Sequence, residues 1–187
     1  VKLINNKKII LNKKEKTVFL KNKGMRIGFG GIGKGYAAKK NKKILQQNGI
    51  ESGIVNSAGD LTAWGYQENG EAWTIGIADP NKKESVFSTF NITNTSVATS
   101  GNYEKFVLID GKKYSHTIDP KTGYPISGIK SVTIIAENAE IADALATPVT
   151  VMGIEVGLNF INQIPNIGCI IIDDYDKTYS SKNINIR

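Results

Sequence analysis

The sequence predicts an α+β domain in which helices pack on an antiparallel or mixed sheet. Short segments that alternate apolar and polar residues, typical of strands, recur along the whole chain. Three longer segments repeat apolar residues every three or four positions, as helices do. With 187 residues, 40% of them hydrophobic, the chain can form one domain over residues 1–187. Two successive sets of strands and a helix, residues 1–92 and 97–187, suggest an internal pseudo-duplication.

The net charge of +7 is concentrated at the N-terminus. Residues 1–43 contain 14 basic residues and one acidic residue, whereas the rest of the chain has a net charge of −6. A basic segment could attract nucleic acid, but its only aromatic residues are Phe19, Phe29 and Tyr36, too few for a stacking platform. We therefore expect exposed lysine-rich faces and no nucleic-acid partner. No apolar run reaches the roughly 18 residues of a membrane span, and the single cysteine, Cys169, is expected in the core.

The N-terminal third combines strands, a glycine-rich loop and a helix. Short strands are predicted at residues 1–4, 8–11 and 17–20. Five glycines then fall within residues 28–35, a density that does not suit the interior of a strand or helix. A helix is expected to begin near Tyr36 and to end at Gly49, with Ile44 and Leu45 on its buried side.

The glycine-rich loop is a candidate anion site. A loop that leads into a helix N-terminus presents free N–H groups, and Lys34 adds a positive charge. The pattern is neither a Walker A motif nor a G-x-G-x-x-G loop after a strand. From these residues alone, phosphate binding and a tight turn both remain open.

The middle of the chain reads as successive strands. They are predicted at residues 52–57, 72–78, 86–92 and 97–100, with a turn at 79–81. Asp60 follows the first of these strands, where it either forms a turn or lines a site.

His116 is the only histidine of the chain. Strands predicted at 106–109 and 113–117 flank Asp110-Gly111, the strongest short hairpin signal, and place His116 near the end of the second strand. An imidazole changes charge near neutral pH and therefore suits proton transfer. A packed or surface histidine beside the turn at Pro120 is the alternative.

The C-terminal part contains a candidate metal pair. A strand is predicted at 131–136 and a helix at 139–151, with Asn138 as its N-cap. Asp143 and Thr147 lie one helical turn apart, so they could hold a hard cation such as Mg²⁺, face solvent or hydrogen-bond each other. Pro148 is expected to kink or break this helix. The remaining elements are predicted to be a helix at 153–164, a buried strand at 168–172 and an edge strand in the tail.

Five stretches of the chain can be compared with known family motifs: GFGGIGKGYA at 28–37, NSAGD at 56–60, SVATSGNY at 96–103, SHTIDPKTGYP at 115–125 and ADALAT at 142–147. Together they resemble the motifs of the ApbE family of FAD:protein FMN transferases. Their order is that of the family's motifs, and they extend over most of the chain from residue 24.

The resemblance implies Mg²⁺-dependent phosphotransfer, in which FAD is cleaved at its pyrophosphate, FMN passes to a Ser or Thr of a target protein, and AMP leaves. It implies that His116 is the general base that acts on the acceptor hydroxyl. The implied metal ligands are the side chains of Asp143 and Thr147 and the backbone oxygen of Gly31. The implied FAD contacts are Gly28, Gly31, Lys34 and the segment around Thr117.

Two other functions fit the same sequence. One is an FAD pyrophosphatase that uses water as its acceptor; the other is a non-catalytic flavin-binding or assembly module. Because the family has a further N-terminal region, Val1 is expected to be an internal start. By resemblance alone, we expect a protein outside the cytoplasm, attached to the membrane through a lipid anchor outside this chain.

Overall fold

A computed structural model describes residues 2–78, 86–101, 106–110 and 112–184. Its strands are β1 (Ile9–Asn12), β2 (Thr17–Leu20), β3 (Gly53–Ser57), β4 (Asp60–Trp64), β5 (Trp73–Ala78), β6 (Val86–Ile92), β7 (Ser96–Gly101), β8 (Phe106–Ile109), β9 (Lys112–Ser115), β10 (Ile129–Ala136), β11 (Gly168–Asp173) and β12 (Thr178–Ser180). Its helices are α1 (Gly33–Gln47), α2 (Ala139–Met152) and α3 (Ile154–Ile161), with a short 3₁₀ turn at Asn6–Lys8.

Six of the strands form a central antiparallel sheet in the order β12-β11-β10-β7-β4-β3. The other strands pair locally as the hairpins β1–β2, β5–β6 and β8–β9. Central strands β7 and β10 align over six residue pairs, from Ser131 opposite Gly101 to Ala136 opposite Ser96. The end of β7 that is farthest from Ser96 leads into the candidate site.

The central sheet is covered on both faces. Helix α2 packs on β7 and β10, while α1 packs on β3 and β4 and also contacts α2. Neighbouring residues of β10 point to opposite faces, as strand geometry requires. Val132 and Ile134 are therefore buried with Ala142 of α2, whereas Ile135 packs on the other side with Ile75 of the β5–β6 hairpin. The glycine loop and α2 are consequently held on the helix side of a rigid sheet.

The predicted α+β class, with helices on an antiparallel sheet, is confirmed. Asn138 caps α2 by accepting a hydrogen bond from the backbone N–H of Glu140 at 3.0 Å, as predicted. Gly49 ends the first helical segment with a φ of +83°. The predicted turn at residues 79–81 lies outside the described residues, and the single-domain organisation and the pseudo-duplication stay predictions.

The structure differs from the local predictions in four places. Residues 2–4, predicted as part of a strand, lie in a turn and pair with no other strand. The turn after β3 leads into strand β4, which was not predicted. Helix α2 continues through Pro148, so the predicted break does not occur, whereas the predicted kink stays a prediction. Pro148 lies on the exposed side of α2, so water can solvate the carbonyl that loses its N–H partner. The fourth difference concerns α1.

Helix α1 begins at Gly33, inside the predicted loop. The face that it buries is not the one predicted from Ile44 and Leu45. Its buried residues are Gly35 and Ala38, whereas Ile44 is 54% exposed. The buried residues of α1 are small, and not large and apolar, because α1 packs closely against α2. Across the described residues, none of the helices is both long and apolar enough to cross a membrane.

Cys169 gives a direct test of the core. It lies in β11, has no exposed surface, and burial raises the pKa of its thiol to about 12. Only the thiolate reacts with disulfide reagents, so at about pH 8 roughly 1 thiol in 10,000 would be reactive even if the reagent could enter. We expect no reaction of the folded protein and one equivalent after unfolding in guanidinium, measured by absorbance. Stoichiometric labelling of the folded protein within minutes would contradict this burial.

Candidate active site

Four distant segments meet at a cavity of about 130 Å³. They are the glycine-rich loop with the start of α1, the end of β7, the turn after β9, and one face of α2. The lining residues are Gly30, Lys34, Thr99, Ser100, Gly101, His116, Asp143, Ala146 and Thr147. The predicted base, the predicted metal pair and the predicted anion-binding lysine therefore share one cavity.

The backbone N–H groups at the start of α1 donate to partners outside the helix. Its N-cap, Ile32, makes no capping hydrogen bond through its side chain, and the N–H of Gly33 donates to the carbonyl of Phe29 at 2.7 Å. Backbone N–H groups in the first turn of a helix lack intrahelical partners, and the partial positive charge there favours anions. Gly35 lies in this turn, and its N–H donates to Oδ2 of Asp143 at 2.8 Å. A carboxylate of α2 thus serves as the anion at the N-terminus of α1.

Gly35 is the point of closest approach between the two helices. A Cβ at this position would lie 2.1 Å from the carbonyl oxygen of Ala139 and 2.7 Å from Cβ of Asp143. Only glycine fits without moving one helix. The same contact holds the side chain of Asp143 in place. Its Oδ2 accepts the N–H of Gly35, and the residue is only 5% exposed.

Thr147 lies next to the glycine-rich loop. A Cβ at Gly31 would be 3.9 Å from Oγ1 of Thr147, so the gap between the loop and this face of α2 is about the size of one methyl group. Asp143 is buried, which excludes the solvent-exposed alternative for it, and its Oδ2 is bonded to Gly35 instead of Thr147. Thr147 is half-buried and lines the cavity one helical turn away.

Lys34 forms an ion pair with a buried carboxylate. Its Nζ lies 3.0 Å from Oδ1 of Asp60, whose side chain is 1% exposed. Among the described residues, neither oxygen of Asp60 has a hydrogen-bond partner of good geometry, so the ammonium is its main compensation. Burial raises the pKa of Asp60 to about 6, Lys34 opposes that rise, and the neighbouring carboxyl of Asp143 adds to it.

A larger cavity of about 460 Å³ adjoins the first. Its lining residues are Lys34, Asn56, Ala58, Gly59, Leu61, Gly76, Ile77, Val97, Thr99 and Gly101. The two cavities share Lys34, Thr99 and Gly101, so the lysine stands in the wall between them. A volume of this size is typical of small-molecule sites.

His116 follows β9 directly and is exposed at the edge of the smaller cavity. The turn after it is fixed by Asp119, which accepts hydrogen bonds from the N–H of Lys121 at 2.8 Å and the hydroxyl of Thr122 at 3.1 Å. The hydrogen bond from Lys121 is the main reason why the pKa of Asp119 lies below its usual range. Asp119 therefore has a structural role in the turn.

Two of the predicted FAD contacts, Gly28 and Thr117, do not line these two cavities, and their role in FAD binding stays a prediction. Gly28 is exposed and lines neither cavity, because the loop turns towards the site only from Gly30 onwards. Thr117 is buried, and its carbonyl accepts the N–H of Ile126 at 3.0 Å within the turn. Neither position is brought to the cavity walls, whereas Gly31 is brought beside Thr147.

Asp60 is the site residue that sequence reasoning did not assign. The sequence left open whether Asp60 forms a turn or lines a site. In the structure, Asp60 is the first residue of β4. Asn56 stabilises the turn instead, since its Oδ1 accepts the N–H of Gly59 at 2.9 Å. The only signal in the sequence was its place in the NSAGD stretch.

The donors present suit a hard cation. A carboxylate, a hydroxyl and a nearby loop backbone offer oxygen ligands only. Within the described ranges, no group of three or more His, Cys, Asp or Glu side chains could hold a metal. Few protein ligands are typical of Mg²⁺, which keeps several waters or substrate oxygens, and atypical of structural zinc.

The fold and this site define a class of protein: an α+β domain with a glycine-rich loop and a helix N-terminus beside a buried carboxylate whose neighbours offer oxygen donors. Comparison with known families identifies it further. The model of the ApbE family matches residues 1–171, and the chain belongs to the ApbE family.

Similar proteins support this assignment. The "FAD:protein FMN transferase" of Klebsiella pneumoniae is 31% identical over 172 residues, which cover 91% of this chain and 52% of the relative. The protein of the same name from Treponema pallidum is 34% identical over 166 residues, covering 83% and 46%. The crystal structure of the ApbE protein from Thermotoga maritima superposes with a TM-score of 0.85 at 35% identity, covering 94% of this chain and 57% of that one. The chain thus spans about half the length of the curated relatives that it matches.

The close contact at Gly35 predicts that one added methyl group lowers the free energy of unfolding at this position but not at Gly33. Gly35→Ala should lower the free energy of unfolding by about 1–3 kcal/mol, because the new Cβ collides with the backbone of Ala139. Gly33→Ala is the matched control in the same helix, since nothing lies within 4 Å of its Cβ position. Urea denaturation of both variants would measure the difference. Equal stability of the two would show that the helices do not approach this closely.

Proposed function

We propose that this chain is the metal- and FAD-binding part of a Mg²⁺-dependent FAD:protein FMN transferase. The observation that supports it best is the convergence of Lys34, His116, Asp143 and Thr147 on one cavity. The names of the relatives point the same way. The reaction would cleave the pyrophosphate of FAD, attach FMN through a phosphoester to a Ser or Thr of an acceptor flavoprotein, and release AMP.

The metal would be held by Asp143, Thr147 and the backbone oxygen of Gly31. Asp143 has a free carboxylate oxygen for this purpose, because Gly35 occupies only Oδ2. Buried carboxylates need compensating positive charge, and the pKa of Asp60 stays raised by burial and by the neighbouring Asp143 despite its ion pair with Lys34. When bound, Mg²⁺ would neutralise the charge that develops on the pyrophosphate oxygens.

The substrate would lie across both cavities. The ammonium of Lys34, in their common wall, would bind the pyrophosphate as a point charge. The partial positive charge at the N-terminus of α1 would favour the pyrophosphate at the same end. The larger cavity has room for a part of FAD that does not react.

His116 would accept the proton of the acceptor hydroxyl. The hydroxyl oxygen attacks the phosphorus of the FMN half, the bond from that phosphorus to the bridging oxygen breaks, and AMP leaves with the bridging oxygen. The exposure of His116 at the cavity edge allows a residue of a second protein to reach it. The expected position outside the cytoplasm remains part of this proposal.

Asp143→Asn tests the metal site. The amide keeps an oxygen for the N–H of Gly35 but removes the anionic ligand, so we expect Mg²⁺ activation to weaken by roughly 100-fold or more. Turnover of FAD to AMP across a Mg²⁺ titration would measure this. Asp174→Asn, which changes an exposed carboxylate that accepts the N–H of Gly128, is the control. An unchanged Mg²⁺ response of Asp143→Asn would remove Asp143 from the metal site.

His116→Asn tests the base. The rate of FMN transfer should fall by about 10²–10⁴-fold while FAD affinity is retained, because a general base acts only in the transition state.

The rate would be measured with an acceptor protein, and FAD affinity by flavin fluorescence on the same preparation. Lys121→Asn, at an exposed position of the same turn, should behave as the unmodified chain. A parallel loss of affinity and rate in His116→Asn would make His116 a binding residue. Release of AMP without any acceptor would favour the pyrophosphatase.

A further inference from the structure

Asp60 is a buried acid that the fold itself does not require. The β3–β4 turn is closed by Asn56, and Ala58 and Gly59 supply its positive φ angles of 51° and 94°. The side chain of Asp60 lines neither cavity. A buried carboxylate costs free energy that an apolar residue at the start of β4 would avoid. Its presence therefore needs an explanation beyond the hairpin.

The ion pair with Lys34 provides that explanation. Lysine loses much rotamer freedom when its ammonium is held at one place. Asp60 is rigid, because it is 1% exposed and belongs to a strand of the central sheet. The Lys34 side chain is 39% exposed, so only one end of it is fixed while the ammonium remains accessible from the cavities.

We propose that Asp60 is a positioning residue, which holds the ammonium of Lys34 in the wall between the two cavities, ready for the anionic part of the substrate. The inference rests on the proposed function for the identity of that anion, the pyrophosphate of FAD. Asp60 contacts neither substrate nor metal in this arrangement. It acts through Lys34, whose freedom it restricts before the substrate arrives.

The position of Lys34 can be tested without any ligand. Acetylation of lysines, followed by mass spectrometry, reports how firmly each ammonium is held. In Asp60→Asn we expect acetylation of Lys34 to become roughly three- to tenfold faster, as for release of an ion pair of moderate strength. Lys39 and Lys130, paired with Glu140 and Asp176, are internal references in the same sample. An unchanged rate at Lys34 would overturn the proposal.

The consequence for binding is tested with FAD and Mg²⁺. Asp60→Asn should weaken FAD affinity by about tenfold, since the lysine must then be ordered on binding. In a Lys34→Met background, the same substitution should have no further effect. Asp173→Asn is the matched control, because Asp173 is also a buried acid but closes its own turn through the N–H groups of Tyr175 and Lys177.

Each other outcome contradicts a specific step. Tighter FAD binding by Asp60→Asn would mean that Asp60 competes with the substrate for Lys34. A loss that persists in the Lys34→Met background would mean that Asp60 acts through Asp143. If the unmodified chain binds no FAD, the proposed function is wrong, whereas the acetylation rates still decide whether Asp60 holds Lys34.

Discussion

The site depends on one close contact between two helices. The N–H of Gly35 donates to the carboxylate of Asp143, 108 residues further along the chain. No side chain separates the helices at this point, since the absent Cβ would lie 2.1 Å from the carbonyl oxygen of Ala139. This distance brings the glycine loop and Lys34 to the same place as the polar face of α2. A longer separation would leave the glycine loop with Lys34 and the face of α2 with Asp143 and Thr147 as two unrelated features.

The contact also determines the electrostatics of the site. Asp60 and Asp143 are both almost fully buried, and the half-exposed Lys34 pairs with Asp60 between the cavities. Two neighbouring buried carboxylates are unfavourable for folding alone, because each loses its hydration. Under the proposed function, a bound divalent cation would offset part of that cost.

Local patterns predicted most of the strands and the start of α2. The Asn138 cap, the Asp110 hairpin and the i, i+4 spacing of Asp143 and Thr147 depend on residues within one turn of each other. These interactions are encoded in consecutive residues and are read without knowing the fold. Strand β4 was not predicted because Asp60 was read as the end of the turn after β3, and because two of its five residues, Asp60 and Thr62, are polar although both are buried in the structure.

The sequence by itself determined the chemistry available: one imidazole, a lysine after a glycine loop, and a carboxylate with a hydroxyl on one helical face. Only the tertiary structure decided which of these groups meet and which neighbours they have. Glycine in the first turn of α1 looked like a loop until α2 was placed against it. Asp60 looked like a turn residue until Lys34 was placed beside it. The physical reason is that both roles depend on contacts between residues far apart in the chain, and such contacts leave no periodic pattern in the sequence.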